Sequence, residues 1–173
     1  CVHHLWFSED DYKEKGNLIK WNPAVKKKSD RDELWKALND DRIDVIATDH
    51  APHTLEEKQN LYTSAPSGGP MVQHALIALL TQAKKGKITL EKIVEKACHN
   101  PAILFNIQNR GYLREGFFAD LVLVDLNKKT TDDHYVNSVL DISKNDNWNY
   151  ETGLQACREN GILRKFNIVL NLL

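Results

Sequence analysis

The chain has 173 residues, a formal net charge of −1 and 42% hydrophobic residues. That length suits one core of ordinary size with room for a small second unit. The near-neutral charge gives no global pull toward nucleic acid or an anionic membrane surface. No run approaches a membrane-spanning helix, and no basic-then-apolar leader opens the sequence. Cys1, Cys98 and Cys157 are odd in number and lack C-x-x-C spacing, which fits a reducing compartment and a cytoplasmic protein. Trp6, Trp21, Trp35 and Trp148 do not interleave with a basic stripe, against a single-strand nucleic-acid platform.

Residues 1–7, Cys-Val-His-His-Leu-Trp-Phe, read as an apolar strand followed by an acidic turn through Ser8–Lys15. Opening in the middle of a strand points to a piece of a longer polypeptide. Asn22-Pro23 is a turn signal, and Lys26–Lys28 reads as a solvated turn. Ser29, with Asp32 three residues on, predicts a capped helix carrying Leu34, Trp35 and Leu38 on one face. A β-branched strand over Asp44–Thr48 follows, so the order strand, loop, helix, strand suggests a parallel α/β architecture.

Residues 54–69 read as a long polar loop ending in Ala65-Pro66-Ser67-Gly68-Gly69. Pro70 suits the first turn of a helix with Val72, Leu76, Leu79 and Leu80 inward. A further helix is expected with Thr89 as its cap and Ile93, Val94 and Ala97 inward, and a third behind Asn100-Pro101 holds Ile103, Leu104 and Phe105. Tyr112–Leu126 has β character, especially over Ala119–Val124, and predicts a small separate β unit. No internal repeat appears, and residues 128–173 give no clear period.

The chemistry concentrates at Asp49-His50-Ala51-Pro52-His53, where an apolar strand runs into acid and imidazole. Strand ends opening into loops are where barrels and open sheets carry their chemistry. A buried Asp49 needs a cationic partner, which a metal ion, an arginine or a protonated histidine would each supply. Asp49 therefore reads as metal ligand or general base, against a plain capping aspartate, and His53 as an anion binder, against a loop histidine. His50 reads as structural. His3 and His4, adjacent on a strand, would face opposite sides and support rather than ligate. Asn22 could offer its amide to a ligand or simply form the turn. Ser67 and Gly68 could present backbone N–H groups at close range. His74 and His99 read as locally hydrogen-bonded, and His134 has no context.

Together these residues resemble a known family. Ala47-Thr48-Asp49-His50-Ala51-Pro52-His53 resembles the D-H-A-P-H signature of dihydroorotases, within the cyclic amidohydrolases. His3-His4-Leu5 resembles their P-H-H-L segment with Val2 in place of proline. Lys20-Trp21-Asn22-Pro23 resembles K-x-N-P, although Ala24-Val25-Lys26 departs from the usual continuation. Leu113-Arg114-Glu115-Gly116 and Ala119-Asp120-Leu121-Val122 resemble β-sandwich strands that follow the barrel, so the likeness covers roughly residues 1–127.

The resemblance implies an α/β fold: the C-terminal part of a (β/α)8 barrel, its last two strands and following helices over 1–110, then β-sandwich strands over 111–127 and a tail over 128–173. It implies a site with two zinc ions that interconverts N-carbamoyl-aspartate and dihydroorotate in pyrimidine biosynthesis. Asp49 would be both a metal ligand and the catalytic group that passes a proton to the departing ring nitrogen. Asn22, His53, Ser67 and Gly68 would bind substrate, His53 near its carboxylate. The other metal ligands of the family lie upstream, so this chain alone is expected to be inactive and to bind zinc weakly. Its partners would be that small-molecule substrate, the N-terminal half of the barrel and a second copy in a homodimer, with neither nucleic acid nor membrane. An allantoinase- or dihydropyrimidinase-like hydrolase and a non-catalytic assembly partner are the competing readings.

Overall fold

In the computed structural model the described residues are 1–72, 74–122, 124 and 126. Expectations for residues 128–173, His134 among them, lie outside these. Seven α-helices carry the described part: α1 Val2–Trp6, α2 Tyr12–Lys15, α3 Lys28–Asn39, α4 Leu55–Gln59, α5 Ala75–Lys84, α6 Leu90–Val94 and α7 Asn100–Leu104. A π-helical turn, Glu95–His99, joins α6 to α7. Among the described residues no helix is long and apolar enough to cross a membrane.

The first correction concerns residues 1–7, which form a helical turn and not a strand. A five-residue helix is too short to sustain itself, and its last carbonyls need partners. Helix α3 supplies them. Trp35 Nε1 donates to the Leu5 carbonyl at 2.8 Å, and Arg31 donates to the Trp6 carbonyl at 3.1 Å. Val2, Leu5, Trp35 and Leu38 are buried together in the same core. Tertiary contact has overridden local β propensity here.

Helix α3 begins earlier than its predicted cap. Lys27 precedes it, and Asp30 rather than Asp32 accepts a bond from the Lys27 N–H at 3.0 Å. Ser29 and Asp32 lie within the first turns, while Trp35 and Leu38 are buried as the spacing predicts.

No strand forms among the described residues; the single ladder contact is an isolated parallel bridge between His50 and Gly69. Along residues 43–49 burial still alternates, with Ile46 and Thr48 inside and Ala47 and Asp49 exposed, the pattern of an extended chain. Its backbone pairs elsewhere: Ile46 N–H donates to the Lys96 carbonyl at 3.0 Å, and the Ala47 carbonyl accepts from Val2 N–H at 3.0 Å. A ladder needs an extended neighbour, and the candidate neighbour, residues 1–7, is helical.

Behind this segment lie α5 to α7. Helix α5 begins at Ala75, five residues beyond Pro70, and buries Ala75, Ala78 and Leu79. Thr89 Oγ1 accepts from Lys92 N–H at 3.1 Å and caps α6, as predicted. Ile93 and Ala97 face the core, but Val94 is exposed at the end of α6, just before the π-helical turn. Lys96, in that turn, is buried and ion-paired at 2.9 Å with Asp41, which also meets Lys92 at 2.7 Å. The described residues of 111–126 show turns and bends, with no strand among them. Tyr112 stacks on His99 at 4.2 Å, and Arg110 pairs with Asp120.

Candidate active site

The site is built where the segment after residue 48 folds against two others. Asp49 takes a positive φ of 49°, a conformation aspartate tolerates better than most residues and one that marks sites of local strain. Its side chain is exposed, and its charge acts on His4. The Asn22–Pro23 peptide is cis. His4 Nε2 bonds to the Pro23 carbonyl at 2.8 Å, so the 22–23 turn and helix α1 are tied together.

His53 sits between two acceptors. Its Nε2 lies 3.1 Å from the Ser67 carbonyl, and its Nδ1 lies 3.5 Å from the Glu57 carboxylate. Gly68 takes φ +134°, and a Cβ there would stand 2.6 Å from the Ala51 carbonyl and 3.2 Å from the His53 ring. Gly69 presses on Trp21, whose indole would be 2.9 Å from an added Cβ. The two glycines therefore let residues 67–69 lie flat between the 51–53 turn and the Trp21 indole. The structure thus brings His53, Ser67 and Gly68 into contact. Asn22 stands exposed one residue beyond Trp21, and Asp49 four residues before His53.

Two lysines fix this arrangement: Lys20, from the Lys-x-Asn-Pro segment, and Lys58, which carried no signal in the sequence. Lys58 is 5% exposed, and its ammonium donates to the carbonyls of Lys20 at 3.1 Å and Pro66 at 3.0 Å. Desolvation, with Lys20 nearby, pushes its pKa down to about 8. Lys20 donates to the carbonyls of Tyr62 and Ala65, and its ammonium lies over the Tyr62 ring. The Lys20 carbonyl also accepts from Gly68 N–H at 2.9 Å. Within the region read as an irregular loop, Thr54 and Glu57 form a reciprocal capping box at 3.2 and 2.8 Å and start α4. The Thr-x-x-Glu spacing was the available signal.

His50 Nδ1 accepts from Val72 N–H at 3.2 Å and joins the turn to the start of the α5 region. His74, buried in front of α5, has its pKa pushed down to about 4 by desolvation and the nearby His50. His3 is fully buried, stacked on Trp21 at 4.4 Å and against His4 at 4.2 Å. Burial, with His4 beside it, pushes its pKa down to about 3. The Thr48 main chain approaches its ring, yet neither ring nitrogen reaches hydrogen-bonding geometry. Cys1, His3 and His4 form a group of metal-competent side chains whose ligand atoms all lie within 4.8 Å of one another. Asp49 is outside that group.

The model of the amidohydrolase family matches residues 2–157, and the chain belongs to that family. Within it, the chain is 43% identical over 123 residues to the dihydroorotase of Halobacterium salinarum, covering 71% of this chain and 29% of that protein. It is 38% identical over 136 residues to the dihydroorotase of Clostridioides difficile, covering 78% and 32%. The chain therefore spans about a third of the length of the curated relatives it matches. Among solved structures, the L-hydantoinase (dihydropyrimidinase) of Arthrobacter aurescens matches with a TM-score of 0.65 at 29% identity, over 68% of this chain and 27% of that one. The dihydropyrimidinase of Brevibacillus agri shares the fold at a TM-score of 0.62 and 23% identity. Family and structural likeness together assign a TIM-barrel-type fold.

Proposed function

We propose that this chain is the C-terminal part of a dihydroorotase-type cyclic amidohydrolase, which in its full-length form interconverts dihydroorotate and N-carbamoyl-aspartate in cytoplasmic pyrimidine biosynthesis. The observation that carries the reading is the contact of His53 with the Ser67–Gly68 segment, four residues after an exposed aspartate. A cyclic amide bearing a carboxylate needs an anion-binding group on one side and a proton carrier on the other. His53 and Asn22 would hold the carboxylate end, and the Ser67–Gly68 backbone would line the ring. Asp49 would hold the proton delivered to the ring nitrogen as the C–N bond breaks.

Asp49 suits a hard-to-borderline cation as a single oxygen donor, but a catalytic zinc needs at least three protein ligands. Residues outside this chain would complete that set. Two zinc ions, when bound, would supply an activated water and polarise the amide carbonyl. The reading accordingly expects no turnover from residues 1–173 alone and turnover once the N-terminal part of the barrel is joined to it, residues 111–127 serving as the start of a β-sandwich and the assembly pairing as a homodimer. Assay of both forms with added zinc tests this. Robust dihydroorotate cleavage by residues 1–173 alone, or none by the full-length protein, overturns it.

A hydantoinase- or dihydropyrimidinase-like activity is the second reading, favoured by the likeness to the Arthrobacter enzyme. His53 discriminates, because hydantoin and dihydrouracil rings carry no carboxylate for it. Relative rates on dihydroorotate, dihydrouracil and allantoin with the full-length protein separate the two.

A further inference from the structure

We propose that Cys1, His3 and His4 form a cation site of their own, separate from the Asp49 carboxylate, taking a borderline divalent metal such as zinc through one thiolate sulfur and two imidazole nitrogens. Adjacent histidines on a strand would point apart; the helical turn of α1 instead gathers both rings and the Cys1 thiol within 4.8 Å. A tetrahedral zinc with Zn–N of about 2.0 Å and Zn–S of about 2.3 Å holds its ligands roughly 3.3–3.8 Å apart. The three side chains therefore need to draw in by at most about 1.5 Å.

Two further observations leave ring nitrogens of this cluster available to a ligand. His3 is fully buried with no partner at either ring nitrogen, an arrangement that is costly unless something accepts the lone pair. His4 Nε2 faces the Pro23 carbonyl at 2.8 Å. A carbonyl only accepts, so Nε2 carries the hydrogen and Nδ1 is left with its lone pair. A ligating histidine is oriented in the same way by a backbone acceptor on its far nitrogen. The sulfur of Cys1 selects zinc or cobalt over magnesium or calcium.

The inference does not rest on the proposed activity, and its test reads the metal directly. Residues 1–173, with an initiator methionine ahead of Cys1 so that no free amine of Cys1 takes part, are titrated with Co²⁺ under reducing conditions. The expected result is a sulfur-to-cobalt charge-transfer absorption that saturates at one equivalent and is displaced by Zn²⁺. Cys1→Ser, at an exposed position, loses the band with its far-UV circular dichroism unchanged. His4→Gln weakens binding at least about tenfold. Asp49→Asn, which would abolish turnover of the full-length enzyme, leaves the band intact. Absence of the band at one equivalent, its persistence in Cys1→Ser, or its loss in Asp49→Asn overturns the proposal.

Discussion

Residues 1–70 and residues 100–126 treat their apolar and polar groups in opposite ways. In the first region Leu5, Trp21, Trp35 and Ile46 are buried, and loop carbonyls such as those of Lys20, Ala65 and Pro66 meet lysine ammonium groups. In the second, Ile103, Leu104, Phe105, Leu113, Phe118 and Leu121 stand exposed. An apolar cavity of about 480 Å³ runs between α5, α6 and residues 111–126. The first region therefore covers its large apolar side chains, and the second keeps uncovered surface of a kind that usually meets a partner.

The largest expected effect comes from acid. His3 and His74 have folded pKa values near 3 and 4, below the unfolded value of 6.5. The unfolded state thus binds more protons between these values, so the stability they contribute is full above about pH 6.5 and falls as pH drops toward 4. The loss should be on the order of 3 kcal/mol for each histidine by pH 4. Urea midpoints measured from pH 7 to 4 check it, and replacing His74 by an uncharged residue of similar volume should flatten the profile.

Gly68→Val comes next. Its Cβ would meet the Ala51 carbonyl at 2.6 Å in a backbone conformation that L side chains rarely adopt. Strain and overpacking together predict a loss of about 2–4 kcal/mol, read as a lowered denaturation midpoint. A smaller effect follows from Lys58→Met, which strips a donor from two buried carbonyls and should destabilise by about 1–3 kcal/mol near pH 7. Because the folded pKa of Lys58 is lowered to about 8, wild-type stability relative to that variant should rise between pH 8 and the unfolded value of 10.5. The smallest effect belongs to the other region. Leu113 is 87% exposed, so Leu113→Asp should change stability by less than about 0.5 kcal/mol, against about 2–5 for Leu38→Ala in the core. A large loss at Leu113 would erase the contrast between the regions.

The parts of this arrangement that were legible in sequence are those that local chemistry decides. Thr89 caps its helix because a side-chain oxygen beside a free N–H needs no distant partner. Leu38 and Trp35 face inward because their spacing is the helix period. The aspartate and histidine of the 49–53 turn stood out because acid and imidazole rarely end an apolar run. What failed was whatever a remote residue settles. Residues 1–7 carry a β-like composition, but Arg31 and Trp35, about thirty residues away, complete the carbonyls of a helix. Nothing near Lys20 and Lys58 in sequence announces the carbonyls that their ammonium groups meet. The start of α4 is different: Thr54 and Glu57 carried the signal, and the polar composition around them masked it.

The Lys20 carbonyl oxygen accepts both the Lys58 ammonium and the Gly68 amide, near the two ends of one loop. Eleven residues of chain, 58–68, are thus cinched into a noose around a single atom, with Leu61 and Tyr62 projecting at its outer bend. Lengthening the noose at that bend would leave the knot tied, whereas a displacement of the backbone at residue 20 would slacken both strands at once and carry His53's neighbour away with them.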